Sequence, residues 1–193
     1  MQRIALVLCV LAAFLVGVML TLRSVMPQSR LVAAHLGEWQ FASHVGAADT
    51  DPYARARLFL SGELPLANGQ GYTLRAYHDA RGGVLDRQCT YRIVSPFPAA
   101  RYFTLTVTDK EGRLIPNLVE RASFTSSEIV RHDGGRFEIL IGPSPQPGNW
   151  LPTGTLLGAF VLDLRLYDTP LSATASQLQA ASLPRIEPLE CPK

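Results

Sequence analysis

Asp163, Arg165 and Tyr167 occupy alternate positions in the run GAFVLDLRLYD at 158–168. A β-strand sends alternate side chains to opposite faces, so these three project together. Phe160, Leu162, Leu164 and Leu166 take the other face. A polar triplet on a strand that is otherwise strongly apolar could line a ligand groove. It could equally be the solvent face of an outer sheet or an ion pair within the fold. Arg101, which opens another strand, and Asn149 and Trp150, which close the segment just before this one, complete a candidate ligand-binding set.

No catalytic residue can be assigned. There is no G-x-S-x-G elbow and no S-x-x-K, and no Gly-rich phosphate loop follows a strand. His35, His44, His78 and His132 are scattered singly, where a metal site on a β-scaffold would bring two or three together. No metal and no cofactor is therefore expected. Paired carboxylates suited to glycoside hydrolysis are not evident. Asp109, Glu111 and Asp133 fall in turns, where acidic residues are normally solvated.

Asn149 and Trp150 end a loop reading GPSPQPGNWLPT at 142–153. Pro143, Pro145 and Pro147 have no N–H to give to a sheet, so the run should be extended and rigid. Gly148 and Asn149 both tolerate positive φ and can take a tight turn. The segment is expected to be a rigid crossover between two sheets. Trp150 should pack down as a plug, and Asn149 should bond nearby backbone.

The elements that must hold these residues are short strands. EWQFASHV, with Trp39, Phe41 and Val45 on one side, then GYTLRAYHD, QCTYRIV, RYFTLTVTD, RASFTS, SEIVRH, RFEILIG and the strand of the triplet alternate with period two, separated by turn residues. DKEGR has the composition of a hairpin turn. One helix interrupts them early: Asp51 can cap it, Pro52 fits its first position, Gly62 and Pro65 end it, and Ala54, Leu58 and Leu60 give it an apolar stripe. Residues 172–182 could form a further helix, and the tail LPRIEPLECPK is extended. The pattern predicts a mainly β protein, a sandwich with antiparallel pairing.

The chain starts differently. Residues 4–22 carry no charge and no proline, and as a helix they span roughly 28 Å, close to a bilayer core. The run is longer than a typical signal-peptide core and lacks a convincing cleavage site. An uncleaved single-pass anchor is the preferred reading, with a cleaved signal as the rival. Flanking arginines tie across the span, and the very short leading tail favours placing the rest of the chain outside the cytoplasmic membrane, in the periplasm. Residues 1–26 are then the anchor, 27–36 a connector, 37–170 the sandwich and 171–193 a tail. Cys9 lies in the apolar run, which leaves Cys89 and Cys191 as a possible disulfide that ties the tail back, or as two separate thiols. Of 193 residues 47% are hydrophobic and 18% charged, with net charge +2. That composition supports a packed core and offers no nucleic-acid footprint.

Taken together and in order, DPYARA, GELPL, CTYRI, PAARYFTLTVTDKEGRL, RASFTS, GPSPQPGNWLPT and GAFVLDLRLYD resemble the bacterial domain-of-unknown-function family numbered 1214. The resemblance runs over roughly 37–170. It implies an antiparallel β-sandwich domain of jelly-roll type, here a small membrane-anchored member, and carries no reaction. Other members follow a second domain that is absent from this chain. The expected function is a binding or interaction module of the envelope, with an envelope protein or a glycan as partner. The alternative is a hydrolase or related enzyme acting on an envelope or imported substrate.

Overall fold

The computed structural model describes residues 2–25, 34–41, 46–47, 50–62, 64–67, 69–94, 96–169 and 179–192. Helix α1 (Gln2–Val25) comes first. It is long and apolar enough to cross a membrane and is exposed throughout Gln2–Arg23. Strands β1 (Ala34–Leu36) and β2 (Trp39–Phe41) follow, then helix α2 (Pro52–Ser61). The predicted start of α2 is as drawn from the sequence: the Asp51 carboxylate accepts the Tyr53 and Ala54 N–H groups at 2.9 and 3.1 Å, and Pro52 needs no donor there. Gly62 ends it at φ 65°, a conformation open to glycine without strain. Ala54 is buried and Leu58 half-buried, but Leu60 is exposed, so the predicted apolar stripe is not all turned inward.

The remaining strands are β3 (Gly71–Ala76), β4 (Thr90–Val94), β5 (Tyr102–Thr108), β6 (Ser123–Thr125), β7 (Glu138–Gly142), β8 (Trp150–Pro152), β9 (Val161–Tyr167) and β10 (Arg185–Glu190). They form a six-stranded sheet, β1-β2-β3-β9-β5-β6, and a four-stranded sheet, β10-β4-β7-β8. Both sheets contribute to one core, in which Leu162, Leu164 and Leu166 of β9 meet residues such as Tyr91, Ile93, Ile139 and Ile141 of β4 and β7. Each fully buried side chain of this size contributes about 1.5–3 kcal/mol relative to exposure. Trp39 is wholly buried, and its Nε1–H donates to the Pro184 carbonyl at 2.7 Å, tying β2 of the larger sheet to the segment that leads into β10 of the smaller one.

Three expectations need correction. The pairing is not antiparallel throughout, because β7 and β8 run parallel. The proline-rich crossover therefore joins two strands of the same sheet rather than two sheets. SEIVRH is not a strand, since the Asn149 side chain accepts the Val130 N–H and donates to its carbonyl, taking the place of a strand partner. The tail is extended as expected, and its strand β10 pairs with β4 at the edge of the smaller sheet. Residues 42–45 of the first predicted strand and 172–178 of the possible late helix lie outside the described residues.

Strand registers define two ends. At one, Gly71 faces Tyr167, Tyr167 faces Tyr102, and α2 delivers the chain to β3. Helices α1 and α2 both belong to this near end, and they lie beside each other. At the far end the chain leaves β3 and β5 and enters β9, through loops 77–89, 109–122 and 153–160. The Cys89–Cys191 disulfide closes the far end of the smaller sheet, across 102 residues of sequence.

Candidate functional site

The outer face of the larger sheet holds the predicted triplet. β9 lies between β3 and β5, so Asp163 is flanked by Arg75 and Thr106, Arg165 by Thr73 and Thr104, and Tyr167 by Gly71 and Tyr102. Asp163 is buried, and both its oxygens are engaged: Arg75 Nε donates to Oδ1 at 2.6 Å and Thr108 Oγ1 to Oδ2 at 3.0 Å. A carboxylate so paired holds three strands together, and removing one member of such a pair leaves an uncompensated buried charge. Arg165 is half-buried between its two threonines, and the Tyr167 and Tyr102 rings stand 5.8 Å apart.

The other three predicted residues do not join this group. Arg101 pairs with Asp168 at 3.3 Å on the surface of the near end, where both side chains are strongly exposed and such a pair contributes about 0–1 kcal/mol. Asn149 and Trp150 belong to the smaller sheet. Asn149 is buried and spends its amide on backbone, holding residue 130 and the Glu138 carbonyl at 2.8–2.9 Å. Trp150 is half-buried rather than a plug, and its Nε1–H donates to the Gly142 carbonyl at 3.1 Å. Of the expected tight turn, Gly148 alone takes positive φ, at 81°.

The carboxyls whose pKa is displaced among the described residues, Asp109 and Glu128, both move down. At Asp109 burial works upward, but the Arg113 and Glu111 N–H groups and the Arg113 guanidinium outweigh it. At Glu128 the Thr125 hydroxyl and N–H do the same. A general acid needs the opposite displacement. Among the described residues no three His, Cys, Asp or Glu side chains gather in a way that could hold a metal ion.

The far end holds features that the search for polar chemistry passed over. Two of its turns share one construction. Asp79 Oδ1 accepts the Arg81 and Gly83 N–H groups at 2.8 and 2.9 Å, and Asp109 Oδ1 accepts those of Glu111 and Arg113 at 3.0 and 2.8 Å. In each, a glycine one residue before the end takes positive φ, Gly82 at 83° and Gly112 at 81°. Asn117 braces the next stretch through the Ile115 and Arg121 carbonyls and the Arg121 N–H. Loop 153–160 lies against it: a Cβ on Gly154 would stand 2.9 Å from the Pro116 carbonyl oxygen. On these braced loops Leu114, Leu118, Val119, Leu156 and Leu157 are all exposed, Leu118 at 97%. Arg87 threads the same end, its N–H on the Gly158 carbonyl and its carbonyl on the Thr153 hydroxyl. Its Nε is buried with no hydrogen-bond partner among the described residues. The sequence did carry a signal for this surface: LIPNLVE and GTLLG place leucines inside Pro- and Gly-marked turns, where no strand can bury them.

Comparison with known proteins agrees with this architecture. The family model "Protein of unknown function (DUF1214)" matches residues 70–171, more than half of the chain, and the protein belongs to that family. No curated protein matches. The crystal structure of the VPA0106 protein from Vibrio parahaemolyticus is similar at a TM-score of 0.57 and 17% identity, over 74% of this chain and 36% of that one. That likeness shows the fold. An uncharacterized protein from Burkholderia cenocepacia aligns at a TM-score of 0.47 and 14% identity, over 89% of this chain and 40% of that one. The chain thus spans well under half the length of either solved structure.

Proposed function

We propose that this protein is a membrane-anchored module of the bacterial envelope that binds a partner protein through the far-end loops of its sandwich, on the periplasmic side of the cytoplasmic membrane. The observation that carries the reading is the set of exposed leucines on loops 109–122 and 153–160, held out by braced turns at the end of the domain opposite α1 and α2. Clustered apolar exposure on rigid loops is costly in water and favours a protein interface. The polar face of β9 supports the same reading from the other side, since its carboxylate is spent within the sheet.

Photo-crosslinking in intact cells tests this. A photoreactive residue at Leu118 or Leu157 should give one discrete protein adduct, and one at Arg165 or Tyr167 should give none. A glycan or small-molecule adduct at Arg165 or Tyr167, with none at the leucines, would favour the hydrolase reading and its groove on β9.

A further inference from the structure

Helix α2 exposes an apolar side chain set that the fold itself does not use. Phe59 is 88% exposed, Leu60 73%, and Leu64, just beyond the helix, 84%. Tyr53 is half exposed one and a half turns or more earlier, while Ala54 is buried. A helix that only capped a soluble domain would place polar residues outward. The ten residues of α2 also hold Arg55 and Arg57 and no acid.

The position of α2 decides what covers this surface. It lies beside α1. Helix α1 is exposed over Gln2–Arg23, and Val25 at its last position is half-buried. The folded domain therefore meets α1 at its C-terminal end, where a membrane-spanning helix leaves the hydrocarbon. A short helix placed there, with large apolar side chains outward, basic residues and no acid, has the chemistry of an interfacial helix.

We propose that α2 seats the domain on the bilayer, with Tyr53, Phe59, Leu60 and Leu64 entering the interfacial layer of the membrane that α1 crosses. This rests on the reading of α1 as a retained span. The seat fixes the sandwich upright, with the far-end loops turned away from the lipid.

The full chain is reconstituted into vesicles of phosphatidylcholine and phosphatidylglycerol, with and without lipids brominated near the headgroup end of the acyl chain. Tryptophan emission is read as the difference from the wild-type chain, and the intact mass of the recovered protein is measured. Phe59→Trp and Leu64→Trp should be blue-shifted and quenched by about twofold or more in the brominated vesicles, as expected for a side chain at the acyl boundary. Leu118→Trp, at the opposite end, should stay red-shifted and unquenched. Unquenched emission at positions 59 and 64 in a chain that keeps α1 overturns the seat and leaves the span standing. A recovered mass lacking α1, with no quenching, overturns both. Quenching at position 118 equal to that at 59 also overturns the seat, because the domain would then lie on its side.

Discussion

The near end of the sandwich and its far end both expose large apolar side chains, but they hold them in different ways. At the near end the exposed residues ride on α2, a ten-residue helix fastened by the Asp51 cap and lying beside α1. At the far end they ride on loops with almost no regular structure: Asp109 and Asn117 gather backbone groups within loop 109–122, and loop 153–160 lies against it at Gly154. A helix offers a continuous surface to a fluid layer, whereas braced loops keep individual side chains at fixed places. The first suits lipid and the second suits a shaped protein surface. Between them runs β9, whose inner face is the core and whose outer carboxylate is neutralised by Arg75.

The contrast depends on the core that keeps the ends apart, and the largest effect should come from cutting it. Trp39→Ala removes a fully buried ring and its bond to Pro184. It should cost about 3–5 kcal/mol, read by urea denaturation, and both ends should lose their character together. Trp150→Ala, at a half-buried site, should cost clearly less; an equal cost would mean that the smaller sheet depends on Trp150 as much as the larger depends on Trp39.

Next comes the far end alone. Cys191→Ser opens the disulfide that fastens β10 beside β4. The expected loss is about 2–4 kcal/mol, and the same loss should appear in the wild type under reductant. Hydrogen exchange should rise first in β10 and the residues before β4, with α2 unchanged.

A smaller effect separates the braces from the side chains they present. Asp109→Ala should cost about 1 kcal/mol through the lost turn bonds. The pH dependence has a definite sign. The folded pKa of Asp109 lies below its ordinary value, so its contribution is complete above about pH 4 and fades as pH falls through the lowered value. The wild-type melting temperature should therefore fall more steeply than that of Asp109→Asn as pH drops below about 4. The smallest effect on stability belongs to Leu118→Asp, within about 0.5 kcal/mol, although it should abolish crosslinking at Leu157.

Much of the fold was legible in the sequence. Period two marked β3, β4, β5, β7 and β9, and an aspartate followed by a proline marked the start of α2. Cys89 and Cys191 were legible as a pair by parity, not by geometry. What escaped was long-range pairing. The partner of Asp163 is 88 residues away on β3, and nothing in GAFVLDLRLYD shows that the carboxylate is neutralised. Alternation also reports the face of a strand and not its depth, so Trp150 was expected to be the plug while Trp39, in a three-residue strand, is the buried ring. SEIVRH had the pattern of a strand, but a side chain supplied the hydrogen bonds that a neighbouring strand would have given.

Hydroxyl-radical footprinting of the full chain, in pure lipid nanodiscs and in native envelope membranes, tests most directly whether the two ends serve different surfaces. Phe59, Leu60 and Leu64 should be protected in both preparations. Leu118 and Leu157 should be labelled in nanodiscs and protected only in native membranes, where the partner is present. Equal labelling of Leu118 in the two preparations, or strong labelling of Phe59 in nanodiscs, would contradict it.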